Sequence, residues 1–327
     1  MKYKLSICIA TYNRAKFLDE TLYSIVSQFN NLVEIVIVDG NSNDNTSDVV
    51  YKYSSLNSNI KYYCLACKGG VDFDYNISIE KSNGEYCWLF SDDDLLKPNA
   101  LSTVLKNLDE QNFSAIIANS ELCDFKIKNI YKYKSINFSE DKIYNTTFND
   151  QDRLFIEMGS YLSFIGCLII NKELWLSRNK EIYIGTEFIH VGVLFQDFLP
   201  NNTLFIHNPL ISIRLGNAQW SNRAFDIWLI NWPKLIWSFD NFSNYSKNII
   251  VKKLPLSQYS KLVYYRVLGV YNFEKFRVLK NNHIHSYLNL IISFIIVIIN
   301  KRVLKNFIFL YAKVRKREWI INEIRNA

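Results

Sequence analysis

Three consecutive aspartates, Asp92, Asp93 and Asp94, follow Ser91 at the end of the apolar stretch EYCWLFS. Adjacent carboxylates repel one another, so such a run must be exposed or neutralised, and a divalent cation is a common neutraliser. Mg²⁺ or Mn²⁺ held by one or two carboxylates and a diphosphate fits the pattern. The metal would then act as a Lewis acid on the departing charge. A solvated acidic turn, capping a helix that begins near Pro98, fits the same residues. Two other apolar stretches end in polar clusters. LSICIA runs into Thr11, Tyr12, Asn13 and Arg14, where the tyrosine offers stacking and the arginine phosphate contacts. EIVIVDG ends in Asp39 and Gly40, with Asn41 next, and an acid at a strand end accepts hydrogen bonds from ribose or base in other nucleotide folds. Taken singly, each of these residues reads equally well as a cap or a surface group.

The elements that position them follow from hydrophobic spacing. LSICIAT (5–11) and EIVIVDG (34–40) are short apolar runs that read as buried parallel strands. Between them Leu18, Leu22, Ile25, Val26 and Phe29 recur at helical intervals, giving a βαβ unit. NSNDNT supplies turn and capping residues before a second helix. KYYCLA and EYCWLFS predict two more strands, with a helix around YNISIEKSNG between them. Strands alternating with helices imply an α/β fold with a doubly wound sheet, whose ligands bind beyond the carboxyl ends of the strands. All three polar clusters fall at those ends, and that convergence is the main sign of a site. Residues 125–160 read as a loop or a β-hairpin over the site. YIGTEFIHVGVLFQDF reads as a turn followed by a buried helix.

The 327 residues are enough for a catalytic domain plus an extension. With 49% hydrophobic and 21% charged residues, the composition excludes a disordered chain. The net charge of +7 hides an asymmetry: residues 1–215 carry 20 Lys and Arg against 26 Asp and Glu, and residues 216–327 carry 18 against 5. A basic extension on an acidic domain suggests attraction to a polyanion. The six cysteines are scattered, and Cys64 and Cys67 lack the second pair or histidines that would complete a zinc set. No signal peptide precedes the first apolar run, which predicts a reduced, cytoplasmic protein.

The series IATYNR, VDGNSNDNT and NGEYCWLFSDDDLLKP resembles the family 2 glycosyltransferases, strongly over residues 3–110 and weakly over 160–200. The resemblance implies a GT-A, Rossmann-like catalytic domain with a mixed sheet, a nucleoside diphosphate sugar donor, and Mn²⁺ or Mg²⁺ as cofactor. Its donor set maps onto Thr11, Tyr12, Asn13, Arg14, Asp39, Asn41, Asp72 and Asp92, and its metal ligands onto Asp93 and Asp94. Ala10 replaces the usual proline of the first motif. Aligned on the downstream Leu-Leu-x-Pro, the family's first metal-motif aspartate falls on Ser91 and its second on Asp93, whereas the literal D-x-D here is Asp92 and Asp94. GEYCWLFSDDDLL and YIGTEFIHV are closer still to the O-antigen abequosyltransferases. That similarity implies a CDP-dideoxyhexose donor and a mannose-containing acceptor on a polyprenyl diphosphate.

An inverting transfer needs a base within reach of the acceptor hydroxyl. The family usually offers an aspartate about a hundred residues after the metal motif, and none stands there. Glu187 and His190 are the candidates, three apart and expected on one helix face. His190 also reads as a satisfied core residue.

From 216 the chain reads as helical and aromatic. Trp220, Trp228, Trp232 and Trp237 fit core packing or a membrane-interface belt better than sugar stacking. YLNLIISFIIVII (287–299) is too short for a span of about 20 residues. Basic residues, including Lys313, Arg315, Lys316 and Arg317, interleave with apolar ones after it, as in an interfacial helix. Residues 287–320 are therefore expected at an anionic membrane surface, on its cytoplasmic face, rather than on nucleic acid. Two rival functions remain open: a nucleotidyltransferase, although TYNRAKF lacks a glycine-rich phosphate loop, and a non-catalytic carbohydrate-binding or scaffold protein.

Overall fold

The computed structural model describes residues 3–217, 219, 223–282 and 286–314. The chain divides into two units, Met1–Ala218 with Phe239–Phe242, and Gln219–Ser238 with Ser243–Ala327. No periodicity announces the return of 239–242 to the first unit. Phe242 stacks on Phe155 at 4.1 Å between ring centroids, and Phe239 meets the same ring edge-on at 6.0 Å.

The first unit begins with β1 (Tyr3–Thr11), α1 (Ala15–Val26), β2 (Val33–Asp39), α2 (Thr46–Ser54), β3 (Ile60–Cys64), α3 (Val71–Lys81) and β4 (Gly84–Phe90). These four strands lie parallel in the order β3-β2-β1-β4. Parallel strands are covered on both faces, which is why β2 is buried at every position and reads as a continuous apolar run. Helix α1 buries Leu18, Leu22 and Ile25, the stripe read from the sequence.

The sheet then becomes mixed. After β5 (Leu95–Leu96) and α4 (Ala100–Glu110) come β6 (Ala115–Cys123), β7 (Ile130–Lys132), β8 (Lys142–Tyr144), α5 (Phe148–Met158), β9 (Leu168–Asn171), α6 (Lys172–Ser177), α7 (Ile189–Phe195) and β10 (Thr203–Arg214). β9 runs antiparallel between β4 and β6, and β10 lies parallel to β6. Among the described residues the sheet has ten strands, mostly parallel where it carries the polar clusters. Residues 125–160 form neither a free loop nor a self-paired hairpin: β7 pairs with β6, β8 pairs with β10, and α5 follows.

Register decides where the loops emerge. Thr11 is level with Asp39, and Ile9 with Phe90, so β1, β2 and β4 end at one edge. β10 runs in the same direction as β4, so Arg214 ends at that edge too. Pro209, which has no N–H to donate, marks the register shifts in β10, whose two halves take β8 and β5 as further partners.

The second unit is helical and has its own core, in which Phe225, Leu229, Leu262, Tyr265, Tyr271, Ile296, Val297 and Leu304 take part. Trp232 is buried, edge-on to Trp228. Trp237 Nε1 donates to the Val251 carbonyl at 3.0 Å. Trp220, Arg315, Lys316 and Arg317 lie outside the described residues. Among those described, no single helix is long and apolar enough to cross a membrane, and helices Tyr287–Ile298 and Lys301–Val314 form a pair bent by 102°.

Candidate active site

The loop after β4 meets the loop after β1. Arg14, one residue before α1, is only 9% exposed, and its guanidinium donates to Asp92 Oδ1 at 3.4 Å, to Asp93 Oδ2 and to the Asn217 carbonyl at 2.9 Å. Asn217 Nδ2 donates to the same Asp93 oxygen at 2.8 Å, and Ser91 Oγ donates to the other. Asp94 is turned into another network. Its Oδ1 accepts the Arg214 backbone N–H at 2.8 Å, while its carbonyl accepts Thr21 Oγ1 at 2.8 Å. The Arg214 side chain donates to the Asp93 carbonyl at 2.8 Å and to Glu20 at 2.6 Å.

Two arginines thus meet the aspartate run. Burial, followed by the charge of Asp93, pushes the Asp92 carboxyl up to about 7, against the pull of Arg14. Burial likewise pushes Asp94 well above the usual carboxylate range. Of the aspartates expected to serve the metal and the donor phosphates, Asp92 and Asp93 share one cationic partner and are the pair that could hold a divalent ion in its place. Asp94 does not join them. Its carboxylate is taken up by the Arg214 backbone, and among the described residues no group of three or more His, Cys, Asp or Glu converges.

The loop after β2 completes the edge. Asp39 Oδ1 accepts from the Ser42 N–H at 2.8 Å and its hydroxyl at 2.7 Å, and Oδ2 accepts from Tyr62 at 2.6 Å. Burial, reinforced by Asp39, raises the Tyr62 phenol far above its ordinary value, so Tyr62 acts only as a donor to Asp39. Asn13 and Asn41 both have positive φ, 55° and 70°, a backbone shape that asparagine tolerates. Asn13 Oδ1 accepts from the Asn43 N–H at 2.8 Å, and its own N–H donates to Ser42, so the first two loops are laced together. Lys68 lies 3.9 Å from the centroid of the Tyr12 ring. Thr11, the last residue of β1, is 3% exposed.

Glu187 and His190 do not share a helix face. Helix α7 starts at Ile189, and Glu187 precedes it with φ 71°, which no helical residue adopts. Glu187 is half-buried, whereas His190 is fully buried, with Nε2 2.6 Å from the Leu162 carbonyl. Burial pulls the imidazole down to about 4. His190 therefore packs the core as a neutral ring, which leaves Glu187 as the candidate base. Asp72 was expected at the donor. Its carboxylate instead accepts the backbone N–H groups of Glu187 at 2.8 Å and Ile189 at 3.0 Å.

The fold is matched in known proteins. A family model, Glycosyl transferase family 2, fits residues 6–170. Abequosyltransferase RfbV of Salmonella typhimurium is 31% identical over 271 residues, 76% of this chain and 78% of RfbV. The chain belongs to glycosyl transferase family 2. A second relative, the GalNAc(5)-diNAcBac-PP-undecaprenol beta-1,3-glucosyltransferase of Campylobacter jejuni, is 27% identical and covers 81% of this chain and 84% of its own. Among solved structures, S. aureus TarS 1-349 in complex with UDP-GlcNAc superposes with a TM-score of 0.55 at 18% identity, over 76% of this chain and 70% of that one. Mannosyltransferase PcManGT of Pyrobaculum calidifontis, in complex with GDP-Man and Mn²⁺, gives 0.51 at 14%, over 98% and 84%.

As a family 2 glycosyltransferase with a GT-A fold, the protein carries site residues that its motifs alone do not reveal. Arg214, Asn217 and Thr21 each touch the aspartates or the loop that bears them. Arg214 had a faint signal, a buried-strand pattern ending in a cation. Asn217 and Thr21 had none, because their contacts with the aspartate loop span 124 and 73 residues.

Proposed function

We propose that this family 2 glycosyltransferase passes a sugar, a 3,6-dideoxyhexose such as abequose carried on CDP, to a polyprenyl-diphosphate-linked oligosaccharide in the assembly of O-antigen or a similar surface polysaccharide. The observation that supports the reading best is the paired Asp92 and Asp93 beside Arg14 at the edge where β1, β2 and β4 end. The likeness to an abequosyltransferase favours CDP and the dideoxy sugar, and the Campylobacter relative favours a lipid-linked acceptor. Asp92 and Asp93 would hold Mn²⁺ or Mg²⁺, which would neutralise the departing diphosphate. Arg14 adds a fixed positive charge beside the same carboxylates. Glu187 takes the proton of the acceptor hydroxyl.

The surface of the second unit favours work at an anionic membrane. Its bent helix pair buries Ile296, Val297 and Leu304 but exposes Leu288, Ile291, Phe307 and Leu310, alongside Lys301, Arg302, Lys305 and Lys313. An apolar face beside cations is the pattern of an interfacial helix.

Calorimetry with CDP, UDP and GDP, each with and without Mn²⁺, tests the donor. Metal-dependent binding of CDP tighter than that of the other two is expected, and equal or better binding of UDP or GDP would overturn the CDP assignment. Transfer from a CDP-sugar to a polyprenyl-diphosphate glycan, followed by mass spectrometry, tests the reaction itself. A nucleotidyltransferase would instead release inorganic diphosphate from a nucleoside triphosphate.

A further inference from the structure

The loop that carries Glu187 has an unusual backbone. Glu187 has φ 71° and Gly185 φ 86°. Glycine enters the left-handed region freely, but a glutamate there must be held by its surroundings. Three successive N–H groups of this loop are tied by side chains. Those of Glu187 and Ile189 donate to Asp72 Oδ2 and Oδ1, and that of Phe188 donates to Thr186 Oγ1 at 3.1 Å. Asp72 belongs to the first turn of α3, is 3% exposed, and reaches across 115 residues of sequence. The carboxylate offers one oxygen to each of the two N–H groups and presents a donor to neither.

We infer that Asp72 is a positioning residue for transfer: it fixes the left-handed backbone of Glu187 and so aims that carboxylate at the acceptor hydroxyl. The inference rests on the assignment of Glu187 as base. A base displaced by even an ångström loses much of its effectiveness, because proton transfer requires hydrogen-bond contact in the transition state. Burial pushes Asp72 itself up to about 6, against the pull of the two N–H groups, so the carboxylate is ionised at neutral pH and available to accept both. A helix cap alone would affect only the stability of α7.

The test is a double-mutant cycle in the full-length protein, with transfer and donor binding measured separately. Glu187→Gln should lower kcat by about 10² to 10⁴ with donor KM retained. Asp72→Asn preserves volume but sets an amide N–H₂ against one of the two backbone donors. It should lower kcat by about tenfold or more, with nucleoside diphosphate binding and donor KM within about threefold of wild type. In the double variant, Asp72→Asn should add no further loss to Glu187→Gln. If Asp72→Asn is too unstable to assay, Thr186→Ala loosens the same loop from the other side and should show the same split. A wild-type kcat in the folded Asp72 or Thr186 variant overturns the inference. So does a raised donor KM with kcat unchanged, or losses that multiply fully in the double variant. Near-normal turnover in Glu187→Gln overturns the base assignment itself, whatever the Asp72 variants do.

Discussion

Arg14 and Asp93, 79 residues apart in sequence, are joined by a charge-assisted hydrogen bond at the edge where β1 and β4 end side by side. Asp92 shares the same guanidinium at 3.4 Å. One cation thus offsets two adjacent carboxylates, and each residue depends on the other for its low-cost burial.

Asp93→Asn should therefore reduce turnover by at least about 10², a loss typical for removal of a group that stabilises the departing charge. The fold should persist, since Asn217 and Ser91 can still bond the amide. Steady-state kinetics, together with calorimetric titration of nucleoside diphosphate with and without Mn²⁺, checks this. Wild-type activity, or unchanged metal-dependent binding, would remove Asp93 from the site.

Arg14→Lys should be nearly as damaging, although it keeps the charge. An ammonium cannot span two carboxylates and the Asn217 carbonyl as a planar guanidinium does. We expect a fall in kcat/KM of about tenfold or more, corresponding to about 1.4 kcal/mol or more of lost transition-state stabilisation. Thermal unfolding of the same variant should shift by only a few degrees, and retention of full kcat/KM would show that point charge alone suffices.

His190 makes a pH prediction. Its folded value is depressed to about 4 by burial, below the unfolded value of 6.5. The unfolded chain therefore binds a proton first as the solution is acidified. The neutral ring contributes its full stability above about pH 6.5, and that contribution is lost as pH falls from there towards 4, by up to about 3 kcal/mol. Melting temperatures of wild type and His190→Asn between pH 7.5 and 4.5 should converge on acidification. At pH 7.5 the folded variant should keep turnover within about threefold of wild type, since the ring does not act on substrate. A turnover defect of 10² or more in folded protein would return His190 to the reaction.

The exposed apolar face of the bent helix pair predicts membrane binding that polar substitutions abolish without unfolding. Leu288 and Phe307 are 63% and 69% exposed, so Leu288→Asp and Phe307→Asp disturb no core. Each apolar Å² inserted contributes about 25 cal/mol, and each nearby Lys or Arg about 1 kcal/mol on an anionic surface. The wild-type protein should float with anionic liposomes, with salt weakening the association only partly because the apolar contribution is unscreened. The double variant should stay in the soluble fraction and still use a soluble acceptor analogue. Wild-type protein that ignores liposomes would remove the membrane assignment and leave the catalytic reading in place.

The catalytic architecture was legible in the sequence because its signals are local. An apolar run of seven residues ending in polar groups, as in β2 or β4, specifies a buried strand whatever surrounds it, and alternation with amphipathic helices then specifies a doubly wound sheet. That was enough to align TYNR, DGNSND and SDDD on one edge and to single out Arg14, Asp39, Asp92 and Asp93. What each side chain does there was set by contacts between residues far apart in sequence. Asp94 and Asp72 carry the same chemistry as Asp93, yet Arg214 takes up the first and the backbone of the Glu187 loop takes up the second. Glu187 and His190 stand at helical spacing, but α7 begins between them, because the Asp72 bond to Ile189 and the left-handed turn at Glu187 fix its first residue. Sequence determines which groups are available at the sheet edge. The tertiary structure decides which of them are drawn into other contacts, because a buried carboxylate must first satisfy the hydrogen bonds and charges that the fold brings to it.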